Sequence, residues 1–281
     1  MIKGWVESGE FMMNATASSA DTRLSVGDIE LEVIRRGAGS PILVLHGMQQ
    51  IDPGSRFVEL LSARAEVIAP SHPGFGHSER PDDVDTVYDL VHLYLELIER
   101  LAYENLTLMG LSFGGWLAAE IAVKCPHRLD RLVLVDAFGI KLSGPETPDI
   151  LDVFNTSPDE VQRRSWHHPE PWAPDFDAMT DDELIVRARN WDSLCLYGWH
   201  PYMYNPSLKR WLSRISCPTL VLWGASDGVV TPAYGRAYSE LIPGSQFELI
   251  DAAGHHPQIE QPEAVVNRVA AFMAQSSPGR T

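Results

Sequence analysis

Cysteine is scarce in this sequence, whose 281 residues include only Cys125, Cys195 and Cys217, without any Cys-x-x-Cys pair. A sparse, odd set of widely spaced cysteines is typical of free thiols in a reducing compartment, and argues against a disulfide framework or a cysteine zinc site. The first residues lack the basic region and apolar run of a secretion signal, and no apolar stretch approaches membrane-spanning length. These absences predict a soluble, cytoplasmic protein without a membrane partner.

Basic residues are also few: the sequence has 22 of them and 38 acidic residues, which gives a formal net charge of −16. Such a surface repels phosphate backbones on average, so nucleic acid is not expected as a partner. We expect a small-molecule substrate, and self-association into a homo-oligomer stays open. Residues 1–20 are small and polar with a few methionines, and they are interpreted as a flexible leader.

Strand and helix patterns alternate along most of the chain. Residues 42–45 form a continuous apolar run, and residues 131–135 are apolar after Arg131; both runs are typical of strands buried on both faces. Between them, residues 85–102 repeat apolar side chains at helical spacing, with Thr86 and Asp89 at the spacing of a capping box. The alternation predicts an α/β fold whose mostly parallel central sheet is flanked by helices.

The alternation stops after residue 137 and resumes at a strand near residue 218. Residues 138–214 are rich in Pro, Trp, His and acidic residues and contain no run typical of a buried strand. We interpret them as a mainly helical cap inserted after the sixth strand of a core formed by residues 21–137 and 215–281. Five of the eight tryptophans lie in this cap, and one or two of them are expected to line an apolar pocket.

The motif at the centre of the chain is Gly110-Leu-Ser112-Phe-Gly114, between a predicted strand and a predicted helix. This arrangement predicts a nucleophile elbow, a sharp turn that holds the serine out at a helix N-terminus. The glycines are needed because the strand and the helix approach so closely that side chains would clash. The helix dipole and the free amide of Phe113 then favour developing negative charge near Ser112.

A serine hydroxyl needs a base, and the base needs a carboxylate that orients it. His255 follows a late predicted strand, and Asp227 follows the strand before that one. The flexible Gly before His255 favours it over His256, which precedes a restrictive Pro. Asp136, also at a strand end, is the alternative acid. The predicted catalytic residues are therefore Ser112, Asp227 and His255, in the order of the α/β-hydrolase triad.

With these parts in order, the chain resembles α/β-hydrolase fold enzymes over nearly all of residues 21–274. The motifs that carry the resemblance are His46-Gly47, Pro73-Gly-Phe-Gly-His-Ser78, Gly110-Leu-Ser-Phe-Gly-Gly115, Gly224-Ala-Ser-Asp227, Ala253-Gly-His255 and Glu260-Gln-Pro262. The resemblance implies that the backbone N–H groups of Met48 and Phe113 form the oxyanion hole. It also implies that the cap covers the pocket.

The predicted activity is cofactor-free hydrolysis of a carboxylic ester with an apolar or aromatic part. Carbon–carbon bond hydrolases of aromatic ring-cleavage pathways are similar as well. Their usual Asn before the nucleophile is Leu111 here, their Gly-rich oxyanion loop is Met48-Gln49-Gln50, and His256 replaces an aromatic residue. Arg187 or Arg189 remains available to hold a substrate carboxylate. A cofactor-free oxygenase or perhydrolase and a non-catalytic receptor are further alternatives.

Neither a cofactor nor a metal is expected. His167 and His168 lie near Asp175 and Asp177, but these residues lack ligand spacing on a defined element. We therefore do not interpret this cluster as a metal site.

Overall fold

The computed structural model describes residues 22–144 and 146–275. The predicted leader, residues 1–20, lies outside the described residues. The described chain contains an eight-stranded sheet with helices on both faces. None of the described helices is long and apolar enough to span a bilayer.

The strands follow the order β1-β2-β4-β3-β5-β6-β7-β8 across the sheet. They are β1 (Thr22–Val26), β2 (Ile29–Arg36), β3 (Pro41–Leu45), β4 (Glu66–Pro70), β5 (Thr107–Leu111), β6 (Arg131–Val135), β7 (Thr219–Gly224) and β8 (Gln246–Ile250). The first two strands pair antiparallel, and β2 also pairs antiparallel with β4. All pairs from β4 through β3 to β8 are parallel, so the carboxyl ends of these strands meet at one edge.

The α-helices pack around this sheet. They are α1 (Arg56–Ser62), α2 (Val87–Leu101), α3 (Phe113–Lys124), α4 (Pro158–Ser165), α5 (Asp181–Gly198), α6 (Leu208–Trp211), α7 (Pro232–Glu240), α8 (Pro257–Glu260) and α9 (Pro262–Met273). Short 3₁₀ turns occur at Glu170–Trp172 and Leu212–Arg214.

Burial explains where the elements lie. Every residue of β3, β5 and β6 is buried, as expected for central parallel strands covered on both faces. Helix α2 begins at the predicted capping box, in which the Thr86 hydroxyl accepts from Asp89 N–H and the Asp89 carboxylate accepts from Thr86 N–H. Helix α3 is buried almost throughout, because it lies between the sheet and other helices.

The fold prediction is confirmed, including the mainly helical segment after the sixth strand, whose described part contains α4, α5 and α6. We call residues 138–214 the insertion. The insertion is joined to the rest of the chain by buried hydrogen bonds from α5. Ser193 Oγ donates to Gly74 O at 2.9 Å, and Asn190 Oδ1 accepts from Gly76 N–H at 2.8 Å. Strand β1 has no counterpart among the strands expected from the sequence.

Candidate active site

Ser112 occupies the turn between β5 and α3 in a strained backbone conformation, with φ +51° and ψ −110°. A Cβ at Gly110 would overlap the carbonyl oxygen of Gly114, and a Cβ at Gly114 would overlap that of Leu45. The closeness of strand and helix therefore requires glycine at both positions, as the elbow motif predicts. Non-glycine residues with positive φ are uncommon and are often functional, so the strain at Ser112 marks the turn as a candidate site.

A hydrogen-bonded relay links three side chains that are far apart in sequence. The Ser112 hydroxyl lies 2.7 Å from His255 Nε2, and His255 Nδ1 lies 2.8 Å from Asp227 Oδ2. The other Asp227 oxygen accepts from the backbone N–H groups of Val229 at 2.8 Å and Val230 at 3.0 Å. Asp227 and His255 are both buried. With Nδ1–H donated to Asp227, Nε2 is free to accept the serine proton.

The loop after β3 lies directly beside the serine. A Cβ built on Gly47 would stand 3.1 Å from Ser112 Cβ, so this position also favours glycine. Within the described chain, the backbone N–H groups of Met48 and Phe113 donate no hydrogen bond. Phe113 is the first residue of α3, where helix N–H groups have no intrahelical acceptor. Both groups therefore have the capacity to bind an oxyanion.

Two buried histidines hold this loop. His46 Nδ1 donates to Gly47 O at 2.7 Å, and His46 Nε2 accepts from the His72 backbone N–H at 2.9 Å. Burial lowers the pKa of His46 to about 4 and that of His72 well below its usual value, so both rings are neutral near pH 7. Because the carbonyl and N–H of a trans peptide point in opposite directions, anchoring Gly47 O also fixes the direction of Met48 N–H.

Ser112 and His255 open into a cavity of about 510 Å³. Most of its wall is apolar, with Met48, Ile51, Phe57, Leu111, Val135, Trp166, Trp172, Pro174, Met179, Ile259 and Pro262 among the lining residues. Trp166 and Trp172 stack with their ring centroids 5.0 Å apart. These are two of the insertion's tryptophans, as expected for a pocket lined partly by the predicted cap. A cavity of this size and polarity suits an apolar or aromatic organic molecule.

Two arginines line the same cavity, and they differ in whether an acidic side chain pairs with them. Arg56 forms ion pairs with Glu59 and Glu263, both at 2.9 Å. The Arg187 guanidinium lies 5.3 Å from the centre of the Phe176 ring, and no acidic partner for it is found among the described residues. Arg189, the other arginine considered from the sequence, donates to Ser78 O at 3.0 Å. Arg187 is therefore the better placed of the two to meet a ligand carboxylate.

Comparison with known proteins agrees with this geometry. The model of the Alpha/beta hydrolase family matches residues 42–268, which is more than half of the chain. This chain belongs to the alpha/beta hydrolase family.

Curated relatives of this alpha/beta hydrolase span nearly its full length. It is 28% identical to a 2-hydroxy-6-oxo-2,4-heptadienoate hydrolase of Pseudomonas putida (strain F1) over 268 residues, covering 88% of this chain and 94% of that protein. It is 27% identical to a 2-hydroxymuconate semialdehyde hydrolase of Pseudomonas sp. (strain CF600), covering 94% and 98%. A solved thermophilic esterase from Thermogutta terrifontis shares 26% identity at a TM-score of 0.71, covering 90% and 98%.

In this alpha/beta hydrolase, the insertion contacts both loops of the relay, a feature that the sequence did not indicate. At the end of α4, Arg164 O accepts from Gly228 N–H at 3.0 Å, next to Asp227. The following carbonyl, Ser165 O, accepts from His255 N–H at 2.7 Å. Carbonyls in the last turn of a helix have no intrahelical donor, and here they accept hydrogen bonds from the loops that carry Asp227 and His255.

Glu260 forms a further link between the His255 loop and the insertion. The sequence indicated this residue only as part of a family motif. Its Oε2 accepts from Gly254 N–H at 2.6 Å, directly before His255. Its Oε1 accepts from the backbone N–H groups of His167 at 2.9 Å and His168 at 3.2 Å, in the insertion. One carboxylate thus links the loop that carries His255 to the insertion.

The other residues that the sequence offered as candidates are His256, His167 and Asp136, and none of them is hydrogen-bonded to Ser112. His256 packs against Trp166 at 4.4 Å between ring centroids and has no hydrogen bond to Ser112. His167 Nδ1 lies 2.8 Å from Ser226 Oγ. Within residues 22–144 and 146–275, the group of metal-ligand type side chains found close together is Asp136, Asp227 and His255, and both His255 nitrogens are already hydrogen-bonded.

Proposed function

We propose that this alpha/beta hydrolase cleaves a carbon–carbon bond next to a ketone, in a substrate that also bears a carboxylate. The observation that carries the proposal is that the Ser112–His255–Asp227 relay opens into an apolar cavity whose wall includes Arg187 without an acidic partner. An apolar wall with one cation that lacks an acidic partner fits a molecule with an apolar part and a single carboxylate. The two Pseudomonas relatives support the reaction, since their names describe a hydrolase of a 6-oxo dienoate and one of a semialdehyde.

The relay supplies the proton transfers of bond cleavage and of the ester hydrolysis that follows it. Ser112 Oγ attacks the ketone carbon while His255 Nε2 takes the hydroxyl proton, and Asp227 stabilises the imidazolium that forms. The N–H groups of Met48 and Phe113 hold the oxyanion. When the oxyanion collapses, the carbon–carbon bond breaks and His255 returns its proton to the departing carbon. Water, activated by His255, then hydrolyses the ester on Ser112 and releases an acid.

The carboxylate has a second role in this scheme. In a 2-hydroxydienoate the departing carbon belongs to a double bond, and an electron pair left on it would lie outside the conjugated system. The substrate must therefore first ketonise, with the proton of its 2-hydroxyl moving to the carbon next to the 6-oxo group. The negative charge left on that carbon then spreads through the remaining double bond to the 2-oxo group beside the carboxylate. The Arg187 guanidinium would bind the carboxylate and so favour the charge that develops there. We infer that Arg187 contributes to turnover as well as to binding.

Ester hydrolysis is the second candidate, and Leu111 favours it. This residue, directly before Ser112, lines the cavity with an apolar side chain and offers no polar group to a departing carbanion. An ester leaves as an alcohol and needs only the proton from His255, so the relay and the oxyanion hole suffice. The solved esterase from Thermogutta terrifontis supports this alternative.

Steady-state kinetics with two substrate sets distinguish the candidates. One set is 2-hydroxy-6-oxo-2,4-heptadienoate, and the other is aryl esters matched in size, with and without a carboxylate at the far end of the acyl chain. The proposal predicts a higher kcat/KM for the dienoate than for any ester. Ser112→Ala should abolish both activities by about 10³-fold or more.

Arg187→Ala provides the test of the carboxylate. A charge-assisted hydrogen bond is worth about 1.5–3 kcal/mol, so kcat/KM should fall about 10–100-fold for the dienoate and for the charged ester, with little change for the uncharged ester. Arg189→Ala is the matched control, and it should leave the ratio of charged to uncharged ester unchanged. Turnover of uncharged esters without turnover of the dienoate would select the ester candidate. Equal activity of Ser112→Ala and wild type would overturn both.

A further inference from the structure

Asp136 is a buried carboxyl group beside the relay that the proposed reaction does not use. It follows β6 with a positive φ of +46° and is only 1% exposed. Its Oδ1 accepts from Gly224 N–H at 2.8 Å, and its Oδ2 is buried and accepts no hydrogen bond from the described chain. A buried carboxylate oxygen without a donor is costly, whereas a protonated oxygen can itself donate.

The second carboxyl group of this pocket is Asp227. One oxygen of Asp136, one of Asp227 and a ring nitrogen of His255 lie within 4.8 Å of one another. The titratable groups that face Asp136 are Asp227, His255 and, farther away, Glu260. Because like charges in a dry site cannot both persist, one of the two carboxyl groups carries a proton.

The hydrogen bonds decide which group carries it. Asp227 accepts three N–H groups, from Val229, Val230 and His255, and each of them favours its ionised form. Asp136 accepts only one, from Gly224. Burial first, and then the negative charge of Asp227, hold the pKa of Asp136 well above its usual value.

We propose that Asp136 is a neutral carboxylic acid that donates a hydrogen bond from Oδ2 to the Asp227 carboxylate, and that it acts as a positioning residue for the relay. This proposal rests on the catalytic role proposed above for Asp227. The fourth donor completes the hydrogen bonding of Asp227 and prevents it from turning away from His255. It also disperses the charge of Asp227, which limits how strongly that carboxylate favours the protonated imidazole.

Two substitutions separate this role from simple space filling. Asp136→Asn keeps an oxygen for Gly224 N–H and an N–H₂ donor for Asp227, so it reproduces the neutral acid. Asp136→Leu has the same branching at Cγ, with two methyl groups in place of the two oxygens, but it has neither polar group and is somewhat larger. We expect kcat within about threefold of wild type for Asp136→Asn, and a loss of about tenfold or more for Asp136→Leu. The acid limb of the pH–rate profile should move upward by about half to one pH unit in Asp136→Leu and stay in place in Asp136→Asn.

Infrared spectroscopy tests the protonation state without any turnover. Wild-type protein at pH 7 should show the C=O stretch of a buried, protonated carboxylic acid, and the difference spectrum against Asp136→Asn should show its loss. This readout decides the proposal even if Asp136→Leu fails to fold, and it stands apart from the proposed reaction, which Ser112→Ala tests. Absence of the band in wild type would overturn the proposal, as would an Asp136→Asn enzyme as impaired and as shifted in pH as Asp136→Leu.

Discussion

Glu260→Gln tests whether the link between the insertion and the base loop sets the rate. The carboxylate accepts three backbone N–H groups, one from Gly254 and two from the insertion residues His167 and His168. A glutamine has a single oxygen. When the glutamine oxygen accepts from His167 and His168, the side-chain N–H₂ faces Gly254 N–H. Two donors then oppose each other directly before His255.

The expected magnitude follows from the lost hydrogen bond. A hydrogen bond to a charged acceptor is worth about 1.5–3 kcal/mol, and that loss falls on the residue next to the base. Displacement of a catalytic group by about 1 Å is able to cost about 100-fold in rate. We therefore expect kcat to fall about 10–100-fold, with KM changed less than threefold, because the cavity wall at Arg187 and the tryptophans is unaltered.

The matched control is Glu263→Gln, three residues further along. Glu263 is an exposed residue that pairs with Arg56, and exposed ion pairs contribute about 0–1 kcal/mol. Steady-state kinetics on whichever substrate the wild type turns over should show near wild-type kcat for this variant. A Glu260→Gln enzyme that also keeps kcat within twofold of wild type would refute the reasoning that the insertion holds the base in place.

Two stability predictions concern the groups around the serine. In the folded protein the pKa of His46 is lowered from the usual 6.5 to about 4, so folding favours the neutral ring. The stability that this preference contributes is fully present above pH 6.5 and is lost as the pH falls toward 4. In urea unfolding, the stability advantage of wild type over His46→Gln should therefore shrink by about 2 kcal/mol from pH 7 to pH 5, and a constant difference would contradict this. Gly110→Ala should lower the free energy of unfolding by about 3 kcal/mol or more, since its Cβ overlaps the Gly114 carbonyl. Gly144→Ala, whose Cβ meets open space, should change the free energy of unfolding by no more than about 0.5 kcal/mol. Equal unfolding midpoints for the two variants would contradict the packing argument.

The elements that the sequence predicted best are those with a local physical signature. Buried apolar runs predicted β3 and β6, the capping box predicted the start of α2, and the glycines around Ser112 predicted the elbow. The positions of Asp227 and His255 after late strands followed from parallel topology, because the carboxyl ends of parallel strands share one edge.

The features of the site that the sequence did not predict depend on contacts between groups that are far apart along the chain. Arg164 and Ser165 act through carbonyl oxygens that every residue carries, so their side chains gave no signal. The sequence presented Asp136 as a rival of Asp227, whereas the fold brings the two carboxyl groups into one buried pocket. Such juxtapositions appear only once the strand order is known, because β6 and β7 bring these loops together.

The central claim is that the relay activates Ser112 as a nucleophile, and covalent labelling tests it most directly. A fluorophosphonate probe followed by peptide mass spectrometry should give one adduct per chain, on Ser112, with labelling slowed by about 10³-fold or more in His255→Ala. Absence of an adduct on Ser112 in the folded wild-type protein, or labelling at the same rate in His255→Ala, would contradict the account.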